Sequence, residues 1–481
     1  MPEQPSQEMH QHKMTVQNAV NAVIRQIRGS EKDSEAHQVL REYKGNVHGG
    51  GSNRLNSTPT IEHPSNTGVI YVMDRASKKG WSSEDKTWGN FGQGAPEVGH
   101  IENAPEKPMQ LHLKEEEFEY APVSGVRSLR EAVANLYNVR YRQGKQSKYT
   151  HENVCIVPGG RAGLTRIAGV IGDANVGFFL PEYTAYEQLL GIFKRFVPIP
   201  TPLHPETGFH VSPEFLRQEV ADRGLGVIVC SNPANPTGQL VEGDEMKEWI
   251  RIAKEHHTTL VLDEFYSHYI YTNGPENFGR TVSAAEHIED VNKDPVIMVD
   301  GLTKNFRLPG WRVCWVIGPQ DVISSLSSAG SFMDGGANHV LQQAAIPLLE
   351  PERVLSDAKA LQRHFLAKRN YVIGRLSQMN LPVINPPKAT FYIWLDLRPL
   401  PEPLNNGLAF FEEALDEKVI VVPGIFFDIN PGRRRELFDS PFHYYIRLSF
   451  GPPMDQLVRG LDGIERLLIK HKFLMAPGSI G

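Results

Sequence analysis

Three short segments of this 481-residue chain carry side chains able to do chemistry: SNPANPTGQ (231–239), LDEFYSHYIY (262–271) and DGLTKNFRLPGWRVCWVIG (300–318). Lys304, in the third, brings an amine that can form an imine with a carbonyl carbon and, once released, serve as a base. Arg312 follows it with a planar guanidinium suited to bidentate hydrogen bonds with phosphate or carboxylate. Asp263 offers a carboxylate, Tyr266 a hydroxyl and Asn235 an amide. Upstream, VPGGRAGL (157–164) reads as a glycine-rich turn opening a helix, where backbone amides bind phosphate and glycines permit close approach. Arg447, in YYIRLSFG, adds another guanidinium near the end of the chain. Each signal is weak alone, since NPTG is a turn sequence and a lone lysine is usually a solvated surface charge. Order and spacing together are far more specific.

These residues need strands and helices to hold them. From Tyr120 onward, short apolar runs alternate with helical or irregular stretches: NVCIV (153–157), VGFFL (176–180), GVIVC (226–230), TTLVLD (258–263), VIMVD (296–300) and VCWVIG (313–318). Such runs predict an α/β domain with a mostly parallel sheet covered on both faces. Ligands of such sheets sit outside the carboxyl ends of the strands, which is where the three segments fall. After residue 350 come a long helical stretch (ALQRHFLAKRNYVIGRL), the strand-like FYIWLDL, and a final strand and helix. This divides the chain into an N-terminal extension (1–88), a large domain (89–350) and a small α+β C-terminal domain (351–481). Within the extension, Val16 to Ile27 shows apolar residues at helical spacing, Gly45 to Pro64 reads as a Gly/Asn-rich loop, and GVIYV begins a strand-like run. A glycine-rich turn follows at Gly92 to Pro96.

Composition narrows the function classes. With 40% hydrophobic and 22% charged residues and a mean hydropathy of −0.35, the chain reads as soluble and globular. A net charge of −6 leaves no basic surplus for nucleic acid, and the first 60 residues hold seven Lys or Arg against six Asp or Glu. That balance also argues against a DNA-binding module fused to an idle, non-catalytic cofactor-binding domain. Cys155, Cys230 and Cys314 sit among apolar residues and read as reduced core thiols. There is no secretion signal and no run of about 18 apolar residues. A cytoplasmic enzyme, with no membrane or nucleic-acid partner and no metal site, is expected.

Taken in order, the motifs from Phe91 to Gly451 resemble those of class I and II aminotransferases, of the aspartate-aminotransferase superfamily (pyridoxal-phosphate fold type I). The resemblance implies pyridoxal 5′-phosphate (PLP) as cofactor, carried by Lys304 as a Schiff base. It implies that Arg312 and Thr303 grip the phosphate, together with the helix start at Gly160, Arg161 and Ala162. Gly301 stands where many members have a second serine, so one phosphate contact is expected to be missing. Asp263 is implied to keep the ring nitrogen protonated, making the ring an electron sink. Tyr266 and Asn235 are implied to contact the ring's 3′-oxygen, and Tyr183 to stack on the ring. Arg447 corresponds to the arginine that holds the substrate α-carboxylate, faced by the loop of Gly92, Gln93 and Gly94. Tyr120 resembles the tyrosine that reaches the neighbouring subunit's cofactor, which implies a homodimer with shared active sites.

The same cofactor chemistry serves transamination, elimination and replacement. Transamination of an amino acid is the commonest outcome for this motif set; the alternative is a lyase, cyclase or γ-replacement enzyme on an activated amino acid. Two features bear on substrate. The segment before Phe91, with Trp81 and Trp88, is long enough to cover the site. In SFMDGGANHVLQQ (331–343), where dicarboxylate-specific members supply an arginine, stand Asp334, Asn338 and His339. A substrate without a distal carboxylate is expected, although Asp334 as a helix cap fits the same sequence.

Overall fold

The computed structural model describes residues 68–475, except 273 and 436. The helix expected at Val16–Ile27 and the loop at Gly45–Pro64 lie outside the described residues. Strands in chain order are β1 (Gly89–Asn90), β2 (Val154–Val157), β3 (Asn175–Leu180), β4 (Val197–Pro202), β5 (Leu225–Ser231), β6 (Thr259–Asp263), β7 (Val296–Gly301), β8 (Cys314–Ile317), β9 (Tyr392–Asp396), β10 (Val419–Ile420), β11 (Val422–Pro423) and β12 (Tyr445–Ser449). A seven-stranded sheet has the order β2-β8-β7-β6-β5-β3-β4. It is parallel except for β8, which runs antiparallel to both β2 and β7. Every residue of β2, β7 and β8 is buried, as a sheet covered on both faces requires. This is the α/β, fold type I architecture that the apolar runs predicted.

β4 is absent from those runs. Its sequence, VPIPTP, carries proline at alternate positions, and Pro198, Pro200 and Pro202 pair in register with Val176, Phe178 and Leu180. The strand lies at the sheet edge, the place where proline's missing N–H costs no ladder bond.

GVIYV is a helix, not a strand. Gly68–Lys78 buries Gly68, Tyr71, Val72 and Ala76 on one face, a helical spacing that the β-branched start disguises. Arg75 pairs with Glu412 at 2.7 Å, and Tyr71 meets Phe426 edge-on at 5.6 Å. β1 pairs in parallel with β10. The 28-residue helix Pro351–Gln378 starts with proline at its first turn, and the Glu350 carboxylate accepts the Arg353 N–H at 2.7 Å. β12 lies between β11 and β9 in an antiparallel sheet, with Arg447 opposite Trp394.

Candidate active site

Loops leaving β2, β3, β5, β6 and β7 and the turn entering β8 converge on a pocket of about 400 Å³. Because β8 is antiparallel, its beginning rather than its end faces this edge, which delivers Arg312 beside residues that follow the parallel strands. Gly94, Gly160, Arg161, Tyr183, Asn235, Asp263, Tyr266, Thr303, Lys304, Arg312 and Arg447 all line the pocket. Four of these are cationic and one is a carboxylate, so the cavity is electropositive and built for anions.

At one end, Gly159 (φ 101°) precedes the helix Gly160–Val170. A Cβ on Gly159 would stand 2.0 Å from Arg312 Nη2, and one on Gly160 would stand 2.4 Å from Phe265 Cε2. Only glycine lets the guanidinium lie against the helix start. Thr303 Oγ1 lies 3.2 Å from Cys314 Sγ. Arg161 Nη2 donates to the Tyr183 hydroxyl at 3.2 Å, and that neighbour raises the arginine's affinity for its proton. No other hydrogen bond of the Arg161 guanidinium is present among the described residues.

Asp263 accepts from Tyr186 Oη at 3.1 Å and from the Phe265 N–H at 3.3 Å. Burial pushes its carboxyl up to about 6, opposed by those donors and by Lys304. Lys304 Nζ donates to the Gly94 carbonyl. Burial, then the Arg447 charge, brings its ammonium down to about 8, with Asp263 pulling the other way. An amine so tuned is available as a nucleophile and base near neutral pH.

At the other end, Arg447 is 2% exposed. Nη1 donates to Asn235 Oδ1 and Nη2 to the Gly92 carbonyl, both at 3.1 Å. Its guanidinium carbon lies 4.2 Å from the Tyr392 ring centroid and 5.0 Å from that of Phe427. Among the described residues its Nε has no partner. A buried, unneutralised guanidinium with a free donor is a receptor for an anion. Asn235 Nδ2 reaches Tyr266 Oη at 3.5 Å, and Tyr266 Oη lies 3.0 Å from Tyr392 Oη.

These residues fit PLP. The glycine cradle, the helix start and Arg312 suit a phosphate, Asp263 a protonated ring nitrogen, Asn235 and Tyr266 a ring oxygen, and Lys304 an aldehyde. Among the described residues no group of three or more His, Cys, Asp or Glu gathers as a metal site.

Some expected residues lie elsewhere. Gln93 is exposed and does not line the pocket; the backbone carbonyls of Gly92 and Gly94 face the site in its place. Ala162 is outside the lining, its N–H donating to Gly159 O at 3.1 Å within the helix start. Gly301 does not line the pocket, and a Cβ there would stand 2.5 Å from Cys314 Cα. Asp334 ends the helix Gln320–Met333 and pairs with the buried Arg166, with Nε to Oδ2 at 2.9 Å. Asn338 caps the next helix, and His339 Nδ1 lies 3.0 Å from Glu119 O. None of these three lines the pocket of its own subunit. Trp81 and Trp88 are also outside it, whereas Val69 of the Gly68–Lys78 helix is part of the wall. Tyr120 is 99% exposed and outside the pocket of its own subunit.

Sequence reasoning missed Tyr186, Tyr392 and Glu182. Tyr186 stands three residues after Tyr183 in PEYTAYE, one helical turn away, and that spacing could have flagged it.

A family model described as "Aminotransferase class I and II" matches residues 86–457. Aspartate/prephenate aminotransferase of Thermus thermophilus is 26% identical over 379 residues, 78% of this chain and 89% of its own length. Aromatic-amino-acid aminotransferase 2 of Thermococcus litoralis is 25% identical over 360 residues, covering 74% and 85%. The solved structure of T. thermophilus aspartate aminotransferase with maleate superposes with a TM-score of 0.67 at 22% identity, over 84% of this chain and 97% of that one. With the family's motifs gathered in one cavity and its model spanning most of the sequence, the chain belongs to the class I and II aminotransferases, the PLP-dependent transferases of fold type I.

Proposed function

We propose that this aminotransferase acts on an amino acid without a distal carboxylate, in a site completed by a second copy of the chain. The observation that carries the substrate reading is the wall of the pocket. Once Arg447 takes the α-carboxylate, Arg312 and Arg161 the cofactor phosphate, Lys304 its aldehyde, Asp263 its ring nitrogen and Tyr183 the ring face, none of the remaining lining side chains, among them Val69, Leu164, Phe265 and Tyr392, is charged.

PLP, when bound, supplies an aldehyde for an amine and a ring that draws electrons from the substrate α-carbon. Lys304 Nζ would be the base that takes the proton from that carbon. Asp263 holds the proton of the ring nitrogen, and Tyr186 fixes the carboxylate by donating to Oδ2. Asn235 and Tyr266 donate to the ring oxygen, and Tyr183 covers the ring face. Arg447 is held by Asn235 and Gly92, so its fork is oriented before substrate arrives. The Gly92–Gly94 loop and Val69 keep water from the reacting carbon.

A second reading rests on Arg161. Its guanidinium has one protein partner, the Tyr183 hydroxyl, and its remaining donors suit a distal carboxylate as well as a phosphate. Relatives named as aspartate/prephenate aminotransferases point the same way. Adding amino acids one at a time to the holoenzyme, while following its visible absorbance, separates the readings. Lasting loss of the band with aromatic or aliphatic amino acids, and little response to aspartate, supports the first; the reverse order overturns it.

The dimer reading is supported by the strap leading to Tyr120, where Met109, Leu111, Leu113 and Phe118 are exposed alongside it. Exposed apolar side chains in one run suit a protein partner. An active monomer in sedimentation would remove Tyr120 from the site. We keep the small domain at 351–481 and add residues 68–90 to it, given the Arg75–Glu412 pair and the β1–β10 pairing. A cytoplasmic setting agrees with three buried, free cysteines.

A further inference from the structure

Glu182 lies behind the pocket wall, 3% exposed, and has no task in the mechanism above. It follows β3 and precedes Tyr183. Its Oε1 accepts from Ser231 Oγ at 2.6 Å and from the Tyr183 N–H at 2.8 Å, while Oε2 accepts from the Ser231 N–H at 3.2 Å. Ser231 ends β5, and its Oγ accepts the Asn235 N–H at 3.0 Å. The Glu182 N–H donates to Phe427 O at 3.0 Å, and the Phe427 ring lies beside Arg447. One residue therefore joins the segments that carry Tyr183, Asn235 and the aromatic support of Arg447.

A purely structural role explains this poorly. Among the described residues no cation pairs with Glu182, and burial pushes its carboxyl up to about 8 against the pull of the Ser231 and Tyr183 donors. An apolar side chain of similar volume at such a site is commonly no less stabilising than a buried acid. What the carboxyl adds is direction: three donors from two strand ends converge on it, and the hydroxyl of one hands the order on to Asn235.

We propose that Glu182 is a positioning residue that sets Asn235 and Tyr183 against the cofactor ring and, through Phe427, steadies Arg447. This rests on the roles assigned above to Tyr183, Asn235 and Arg447. Replacing the carboxyl by an amide fixes N–H groups on one of its two acceptor positions, facing at least one of the three donors, and Ser231→Ala cuts the link to Asn235 while leaving Glu182 in place.

The test uses Glu182→Gln and Ser231→Ala as PLP-loaded enzymes, with Asn235→Ala alongside. The pH midpoint of the holoenzyme's visible band is titrated, KM and kcat are measured for a reactive amino acid, and melting temperature is recorded. Loss of the Asn235 donor weakens the deprotonated ring oxygen, so the midpoint moves up. KM rises by about fivefold or more, as for one misplaced hydrogen bond. If Glu182→Gln fails to fold, Ser231→Ala decides. Should Asn235→Ala move the midpoint while the other two leave midpoint and KM unchanged, the Glu182 proposal alone falls. A drop in melting temperature with both readouts intact also overturns it, leaving Glu182 a core group. If Asn235→Ala itself does nothing, the assignment of Asn235 falls and the role of Glu182 with it.

Discussion

The two ends of the pocket are built on different principles. The end proposed for the phosphate comes from short segments next to strands: Gly159 and Gly160 after β2, Thr303 and Lys304 after β7, Arg312 before β8. The substrate end brings Gly92 and Gly94, Asn235, Tyr392 and Arg447 together from parts of the chain more than 300 residues apart, the Arg447–Gly92 contact spanning 355 positions. The first end is fixed by backbone geometry within one sheet. The second depends on side chains from a small sheet meeting a loop that follows the N-terminal segment. A replacement at the first end should therefore act chiefly on cofactor affinity, and one at the second chiefly on substrate KM.

Lys304 tests the comparison where the ends meet. On the roles proposed for it, Lys304→Ala removes both the amine that would carry the cofactor and the base at the α-carbon, so activity is expected to fall by about 10⁴-fold or more. Borohydride reduction followed by mass measurement then finds no cofactor fixed to the chain. Cofactor still trapped on the variant would mean that another amine carries it.

Next in size is the pair Arg312→Gln and Arg447→Gln. Each removes a charge-assisted contact worth about 1.5–3 kcal/mol, or about 10- to 100-fold. Equilibrium dialysis of PLP is expected to show the loss for Arg312→Gln and little change for Arg447→Gln. Steady-state KM for the amino acid shows the opposite. If both variants lose cofactor equally, the pocket is one cooperative unit and the division between its ends fails.

How much of this was legible follows the same division. Apolar runs marked six of the seven strands of the central sheet; Asp263 and Lys304 sit where two of those strands end and Arg312 just before another begins. β4 stayed hidden because prolines at alternate positions hide an edge strand. GVIYV concealed a helix because β-branched residues stand where the buried face begins. Tyr392 lies within FYIWLDL, a segment readable as a strand, yet nothing in the run says that its ring lies against Arg447. Gln93 was expected at the substrate because its turn resembles the family's substrate loop, whereas the groups of that turn that meet Arg447 and Lys304 are the backbone carbonyls of Gly92 and Gly94. Local order is encoded by nearest neighbours; contacts between distant segments are not.

A pH experiment sharpens the comparison, because the two ends interact electrostatically. Only the neutral Lys304 amine attacks an aldehyde, and burial together with Arg447 lowers its ammonium from 10.5 to about 8. In the apoenzyme, covalent uptake of PLP should accelerate as pH rises and level off above about 8. The folded chain binds fewer protons here than the unfolded one, so this group's destabilising effect fades between about pH 8 and 10.5. Arg447→Gln removes the second cause of the shift, so the midpoint of uptake moves up. An unchanged midpoint would leave burial as the whole cause.

The smallest effect is expected at Tyr392. Tyr392→Phe keeps the ring against Arg447 but deletes the hydroxyl 3.0 Å from Tyr266 Oη. Tyr266 keeps Asn235 Nδ2 as a neighbour at 3.5 Å, so it is not left without a polar contact. The expected cost is about 1 kcal/mol, or about fivefold in kcat/KM, with PLP affinity unchanged. Tyr392→Leu also removes the ring face and, with it, a cation–π contact of about 1–2 kcal/mol for a desolvated pair, so its KM should rise further. A loss near 100-fold for Tyr392→Phe would contradict this and show that the hydroxyl itself touches the reacting atoms. In that case the substrate end would hold a catalytic group in addition to a receptor for the α-carboxylate.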